Sequence, residues 1–564
     1  MATHFELVCI DCGHHWPFAP FARHCPACQG EWFQVSYDYS GLARSLLPGL
    51  TQRPGAGLWR YLDVLPLKDA GHIVSLGEGS TPLIKVTNLG LMLGRSNIYI
   101  KDERQAATGS FKDRQATLAV SLLKEAGVTD AVVASTGNVA ISYAAYCARA
   151  GIKLYAFLTS LVMSEKMREC ALYGAQVVKV TATYDRCKEI AQQFALQRNM
   201  YYDRGLRSIA GIEGMKTIAF ELAEQLSQML PPRPAPEGGP AACCATWRAP
   251  DWYVQSVSGG LGPVGVIKGF QELKTMGLID RLPALACVQA EGCAPMVNAF
   301  RKQAKTAEPV SKPATRIATL ATGDPGRAYS LLKAYIDQNG GTMEAVTDDE
   351  ADRALHVMAK MEGISMEPAA AVAFAGLFKL VRDGYIGPDD VVAVNCTGHT
   401  HTVPAEVLGE GWARDFVPPT ETAAAAPEPE GLLAALERLD QRVRSIAIVE
   451  DNPDAVRLIR RILQAKANYQ IYEAYDGYSG LDLIREHLPN LVILDLMMPQ
   501  MDGFAVLDAL RANPATRDIP VIVVTAKELT PAERARLSGQ IESLLQKGAF
   551  MDDNLLADIV QALT

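Results

Sequence analysis

The sequence predicts an α/β protein built from several domains, and three observations carry that reading. Between about residues 41 and 416 short apolar strands alternate with segments of helical length, the pattern of a mostly parallel sheet covered by helices. From about residue 445 a second, smaller run of the same kind begins, behind a stretch rich in Pro, Ala and Glu. Ahead of both, two C-x-x-C pairs fall within the first 40 residues.

The chain of 564 residues is long enough for roughly three or four domains. Its 49% hydrophobic and 21% charged composition is ordinary for soluble globular protein. The net charge is -9 and no Lys/Arg block stands out, so nucleic acid and anionic membrane are not expected as partners. Met1-Ala-Thr-His-Phe-Glu lacks the basic and apolar regions of a signal peptide, and no apolar run reaches membrane-spanning length. Of 12 cysteines, eight are scattered through apolar or loop segments, which fits a reducing cytoplasm rather than a disulfide framework.

Cys9, Cys12, Cys25 and Cys28 form two knuckles separated by one short hairpin. Four thiolates so spaced suit one tetrahedral Zn²⁺, in a region too small for a core of its own. Such a site is closed and therefore structural, and His14, His15 and His24 nearby are read as surface residues.

The strands expected next include Asn97–Lys101, Ala131–Ser135, Lys153–Phe157, Gln176–Val180, Trp252–Gln255 and Asp390–Val394, enough for two sheets. Thr108-Gly-Ser-Phe-Lys-Asp-Arg114 places Lys112 at a helix start, with Ser110 as cap, Asp113 as a capping-box carboxylate and Gly127 as the stop. A lysine there faces like-signed partial charge, which favours the free amine that attacks carbonyls. Ser135-Thr136-Gly137-Asn138 and Ser258-Gly259-Gly260-Leu261-Gly262 each lie between a strand and a helix, where backbone N–H groups bind anions. Asn395-Cys-Thr397-Gly-His399 ends a further strand.

Together these ordered segments, with Leu76–Leu83, Glu213–Thr217, Glu291–Pro295 and Glu367-Pro368, resemble threonine synthases and their fold type II relatives, which bind pyridoxal 5′-phosphate (PLP). Many of those enzymes carry a similar N-terminal zinc ribbon. The resemblance implies a two-domain, tryptophan synthase β-like fold, with PLP on Lys112 as the internal aldimine. It implies a cofactor-phosphate cradle at Ser258–Gly262 and Asn138 against the cofactor's 3′-oxygen. Substrate carboxylate would bind at Ser135, Thr136, Gly137 and Asn138, and the Thr397 hydroxyl would meet the pyridine nitrogen. A hydroxyl there would not hold that nitrogen protonated, which suits elimination and replacement. The resemblance departs at Gly205–Gly211, where family members place polar groups for the substrate phosphate; Arg204 and Arg207 are the candidates to substitute.

Pro231–Pro240 reads as an exposed Pro/Gly-rich insertion and 417–444 as a linker carrying a short helix, with Leu432, Leu436, Leu439 and Val443 on one stripe. Beyond it, strands at Ile446–Asp451, Leu491–Asp495, Val521–Thr525 and Leu544–Lys547 end in Glu450 and Asp451, Asp495, Thr525 and Lys547. In a doubly wound sheet functional groups gather at the carboxyl ends of strands, and three carboxylates there suit Mg²⁺. The module resembles a response-regulator receiver domain of the flavodoxin-like (CheY-like) fold. That resemblance makes Asp495 the phosphoacceptor, Glu450 and Asp451 the Mg²⁺ pair, and Thr525 and Lys547 the switch residues. Leu544 stands where an aromatic switch residue is usual, and Gly548 replaces a common proline.

The expected domains are therefore a zinc ribbon (1–40), a PLP-dependent catalytic region (41–416), a linker (417–444) and a receiver (445–564). The expected function is elimination or replacement on an amino acid with a good leaving group, with O-phosphohomoserine to threonine as the best guess. Rival readings are a threonine or serine dehydratase, a cysteate- or cysteine-synthase-like enzyme, or a PLP-fold scaffold without catalysis. The expected partners are a small amino-acid substrate, a histidine kinase or phosphotransfer protein, and a second copy of the chain in a dimer.

Overall fold

The computed structural model describes residues 5–52, 57–160, 162–231, 247–399, 413–416, 445–466 and 469–525, with short stretches from 530 to 546. The linker stripe Leu432–Val443, most of the Pro/Gly-rich insertion and Lys547 lie outside the described residues. The chain divides into two compact units, Met1–Trp412 and Ala413–Ala562. No helix among the described residues is long and apolar enough to cross a membrane.

The first unit opens with a three-stranded antiparallel sheet in the order His15–Pro17, Phe5–Cys9, Phe33–Tyr37. Its interior is thin, mainly Leu7, Phe33, Val35 and Tyr37, so the cysteine knuckles and the neighbouring domain must supply what burial does not. Two larger sheets follow, as the alternation of strands and helices predicts. One runs Gly341–Val346, Ala284–Ala290, Trp252–Ser256, Val392–Cys396 and Ile98–Asp102 in parallel, with Leu83–Lys85 antiparallel at its edge. The other runs Gln176–Val180, Lys153–Thr159, Asp130–Ser135 and Tyr201–Tyr202, all parallel. These strands read as near-continuous apolar runs because helices cover both faces.

The larger of these two sheets meets two helices of this unit on a buried ionic cluster. Arg114 donates to both oxygens of Glu103 at 2.7 and 2.9 Å and to both oxygens of Glu221 at 2.7 and 2.8 Å. Lys101 completes it, donating to Glu221 at 2.7 Å, to Gln225 at 2.9 Å and to the Thr81 carbonyl at 2.7 Å. All four charged side chains are at most 2% exposed. Burial alone would push Glu221 up, yet Arg114 and Lys101 hold it well below the usual carboxylate range.

The second unit is a five-stranded parallel sheet in the order Gln470–Ala474, Ser445–Val449, Leu491–Leu494, Val521–Thr525, Ser543–Gln546. Numbered along the chain that order is 2-1-3-4-5, the flavodoxin-like arrangement. The Gln470–Ala474 strand was not foreseen in the sequence, since only Ala474 of its five residues is fully buried and its apolar signal is weak.

Removing one member of the buried cluster strands the others. Glu221→Gln should lose about 3–5 kcal/mol of stability, read as a lowered denaturation midpoint of the catalytic unit. Because Glu221 is depressed in the folded state, its contribution is present above the ordinary glutamate value of about 4.3. It disappears as pH falls below that value, so the variant should differ from wild type less in acid than at neutrality.

Candidate active site

The helix Lys112–Glu125 places Lys112 on a cavity of about 650 Å³, a size suited to a small ligand. The local geometry differs from the capping box expected at its start. No side chain caps the helix, and Ser110 is not the cap. Asp113 turns back to accept from the Thr108 N–H at 2.8 Å and hydroxyl at 2.5 Å, because this tight loop leaves Thr108 donors buried and in need of a partner. Gly127, at φ 69°, stands two residues past the helix, as expected.

A short backbone ladder delivers the remaining groups. The Phe111 N–H donates to the Thr397 carbonyl at 3.0 Å, and the His399 N–H donates to the Gly109 carbonyl at 2.7 Å. The segment after strand Val392–Cys396 therefore runs alongside the lysine segment, and Lys112 and Thr397 line one cavity although 285 positions apart in numbering. Burial pushes the Lys112 amine down to about 8, against the carboxylates of Glu367 and Asp203, which favour its charged form. Its Nζ lies 4.2 Å from the Phe111 ring centroid.

Ser258, Gly259, Gly260, Leu261 and Gly262 all line the same cavity, ahead of the helix Leu261–Thr275. Gly260 caps that helix at φ 102°, a conformation glycine adopts without strain. A Cβ on Gly262 would lie 2.4 Å from the Gln255 side chain and 2.9 Å from the Phe111 ring. The turn therefore presents bare backbone N–H groups at a helix N-terminus, the arrangement that holds a phosphate. An amine of lowered basicity, this cradle and the Thr397 hydroxyl on one cavity fit a flat aldehyde that carries a phosphate ester.

Of the Ser135–Asn138 loop, Thr136 and Asn138 line the cavity. The Ser135 hydroxyl oxygen instead accepts from the Gly137 and Ala140 N–H groups at 3.0 and 3.2 Å, closing the turn from inside. Asn138 is held on both ends: its Nδ2 donates to Glu367 at 2.7 Å, and its Oδ1 accepts from Lys166 at 2.6 Å. Lys166 also pairs with Glu367 at 2.7 Å, both side chains being at most 3% exposed. Sequence reasoning missed Lys166, which reads locally as a surface lysine of the helix Ser164–Leu172. The one available signal was its place just past a strand's carboxyl end. Asp203, also missed, follows strand Tyr201–Tyr202 and accepts from the Tyr143 hydroxyl at 2.5 Å. Burial raises its carboxyl, although that tyrosine and the Gly205 N–H draw it back.

Away from the cavity, the four knuckle sulfurs lie within 4.8 Å of one another. Cys9 Sγ is 3.5 Å from Cys28 Sγ, and Cys12 Sγ is 3.7 Å from Cys25 Sγ. Sulfurs about 2.3 Å from a tetrahedral zinc would stand about 3.8 Å apart. Both knuckles close alike, Gly13 N–H donating to the Cys9 carbonyl at 2.9 Å and Gln29 N–H to the Cys25 carbonyl at 3.0 Å. This donor set fits zinc. His14, His15 and His24 are exposed, as expected. In the second unit one oxygen each of Glu450, Asp451 and Asp495 lies within 4.8 Å of the others, a hard-oxygen set that fits Mg²⁺. Thr525 ends the neighbouring strand and is fully buried.

Comparison with known proteins finds relatives of both units. A family model described as pyridoxal-phosphate dependent enzyme matches residues 74–398. A second, described as response regulator receiver domain, matches residues 446–560. The threonine synthase of Methanocaldococcus jannaschii is 37% identical over 393 residues, covering 69% of this chain and 91% of that protein. The threonine synthase of Methanosarcina acetivorans is 33% identical over 405 residues, covering 72% and 94%. Among solved structures, maize serine racemase is 16% identical with a TM-score of 0.48, over 58% of this chain and 90% of that one.

If the knuckles hold zinc, Cys25→Ser should remove one equivalent of metal per chain and loosen the N-terminal sheet to protease. Metal content that is unchanged in the variant would rule the site out.

Proposed function

This chain belongs to the pyridoxal-phosphate dependent enzymes, with a receiver domain C-terminal to its catalytic region, and on that premise we propose that it is a threonine synthase, converting O-phosphohomoserine and water to threonine and phosphate. The observation that carries the reading is the convergence of Lys112, the Ser258–Gly262 cradle and Thr397 on one cavity, in a chain 37% identical to a threonine synthase. Lys112, the cradle, Asn138 and Thr397 are the residues that would hold the cofactor. When bound, PLP supplies the electron sink that acidifies protons on the substrate carbons.

The chain's own groups do the rest. With its basicity lowered to about 8, the Lys112 amine is poised to take a proton from the substrate α-carbon and return one farther along the chain. Thr136 and Asn138 meet the substrate carboxylate, and the buried Lys166–Glu367 pair fixes the Asn138 amide so that it need not reorient. The receiver accepts a phosphoryl group on Asp495 with Mg²⁺ held by Glu450 and Asp451, from a phosphotransfer protein. The enzyme works in the cytoplasm, where its cysteines stay reduced.

Borohydride should fix PLP covalently on the wild type and not on Lys112→Ala, and turnover of O-phosphohomoserine should vanish in the variant. Capture of PLP by apoprotein should rise with pH through about 8 and level off above it, because only the deprotonated amine reacts. Turnover of threonine or serine in place of O-phosphohomoserine would move the enzyme to the dehydratases. For the receiver, acetyl phosphate with Mg²⁺ should add one phosphoryl group by mass to wild type and none to Asp495→Asn.

A further inference from the structure

The cavity has a wall that its catalytic groups do not explain. Trp32, Arg204, Arg207 and Arg327 line it together with Lys112, and Trp32 belongs to the four-cysteine module. Two carboxylates of that module grip the arginines. Asp11, between Cys9 and Cys12, pairs with Arg327, and Glu31, three residues past Cys28, pairs with Arg207. Glu31 also lies 3.7 Å from Arg204, whose guanidinium donates to the Ala22 carbonyl of the module at 3.0 Å. Each knuckle thus contributes one carboxylate to one cavity arginine.

The module is itself anchored firmly enough to serve as a wall. Its last strand ends in Tyr37, whose hydroxyl donates to the buried Glu213 at 2.8 Å. Lys216 lies 4.1 Å over the Tyr37 ring and pairs with Glu213 at 2.6 Å and Glu272 at 2.9 Å. Phe21 packs on Tyr201 with ring centroids 5.0 Å apart, next to Asp203.

An unanchored arginine loses rotamer freedom when it fixes an anion, and a carboxylate that already holds one edge of the fork removes part of that loss. A guanidinium has five N–H donors, so one edge held by a carboxylate leaves donors for a ligand. Arg207 and Arg327 are about one-third exposed or slightly more, on the cavity side of their pairs. We propose that Glu31 and Asp11 are positioning residues which, acting through Arg207 and Arg327, make the four-cysteine module the recognition wall for the phosphate-ester end of the substrate. The proposal rests on the reading of O-phosphohomoserine as substrate.

The test uses full-length holoenzyme and two readouts: the Kd of inorganic phosphate, and KM against kcat for O-phosphohomoserine. Glu31→Gln should raise the phosphate Kd and KM about fivefold, the upper range for one exposed ion pair, with kcat within about twofold. Asp11→Asn should act in the same direction. Arg207→Gln should raise both by about tenfold or more, and Glu31→Gln/Arg207→Gln should be no worse than Arg207→Gln alone, because Glu31 acts through it. Metal content and melting midpoint should stay at wild-type values in Glu31→Gln. Tighter phosphate binding in Glu31→Gln would make Glu31 a competitor for the arginine and overturn the proposal, as would unchanged values in a wild type that turns over O-phosphohomoserine. A wild type that binds phosphate with this pattern of variants but does not turn over O-phosphohomoserine would overturn the proposed function and leave the positioning role standing. A wild type that neither binds phosphate nor turns over would overturn both.

Discussion

Almost everything in the catalytic unit depends on the four buried charges of Lys101, Glu103, Arg114 and Glu221. Two of each sign sit in one dry volume, and their formal sum is zero. Lys101 is the next-to-last residue of the strand Ile98–Asp102 and Glu103 follows that strand, Arg114 lies two residues after Lys112, and Glu221 belongs to the helix Thr217–Met229. The cluster therefore ties the strand, the lysine helix and a third helix at one point. Such a cluster need not add net stability over an apolar core, since desolvation offsets much of the attraction. What it adds is register. Shifting the Lys112–Glu125 helix by one residue would rotate Arg114 away from Glu103 and Glu221 and leave Lys101 as the one cation beside two buried carboxylates in this cluster.

The same logic recurs at lower intensity around the cavity. Glu78, 1% exposed, accepts from Trp59, Thr117 and Tyr146 at 2.9, 2.7 and 2.7 Å, fixing the Gly/Pro turn at residues 76–83. Glu367 is fixed by Lys166 and Asn138. In each case an acidic residue inside the protein is surrounded by donors from distant parts of the chain. Glu367 and Asn138 on the cavity are thus set by the buried Lys166, which is how a site keeps its geometry when a ligand leaves.

Much of this was legible in the sequence, and the reason is local periodicity. Apolar runs such as Val521–Thr525 coincide with observed strands because burial on both faces writes a continuous apolar signal. The cysteine knuckles and the acids at receiver strand ends were visible because their chemistry needs fixed residue types at short spacing. What stayed hidden was long-range or conformational. The Lys166–Glu367 pair spans 201 positions, and nothing near Lys166 distinguishes it from a solvated lysine. Asp113 was misread because a capping box and a turn back to Thr108 use the same residue types, and only the loop's shape decides between them. The grip of Glu31 and Asp11 on cavity arginines was equally invisible, since it joins the first 31 residues to positions beyond 200.

That last separation bears on how the molecule is made. The knuckles close with hydrogen bonds inside residues 9–30, so they are complete as soon as that stretch has left the ribosome. Tyr37, by contrast, waits for Glu213, 176 positions later. At about 5–20 residues per second that interval lasts roughly 10–35 s. Throughout it the Tyr37 hydroxyl is without the buried carboxylate to which it will donate. The first part of the chain to emerge therefore reaches this partner only after more than 200 residues have been made.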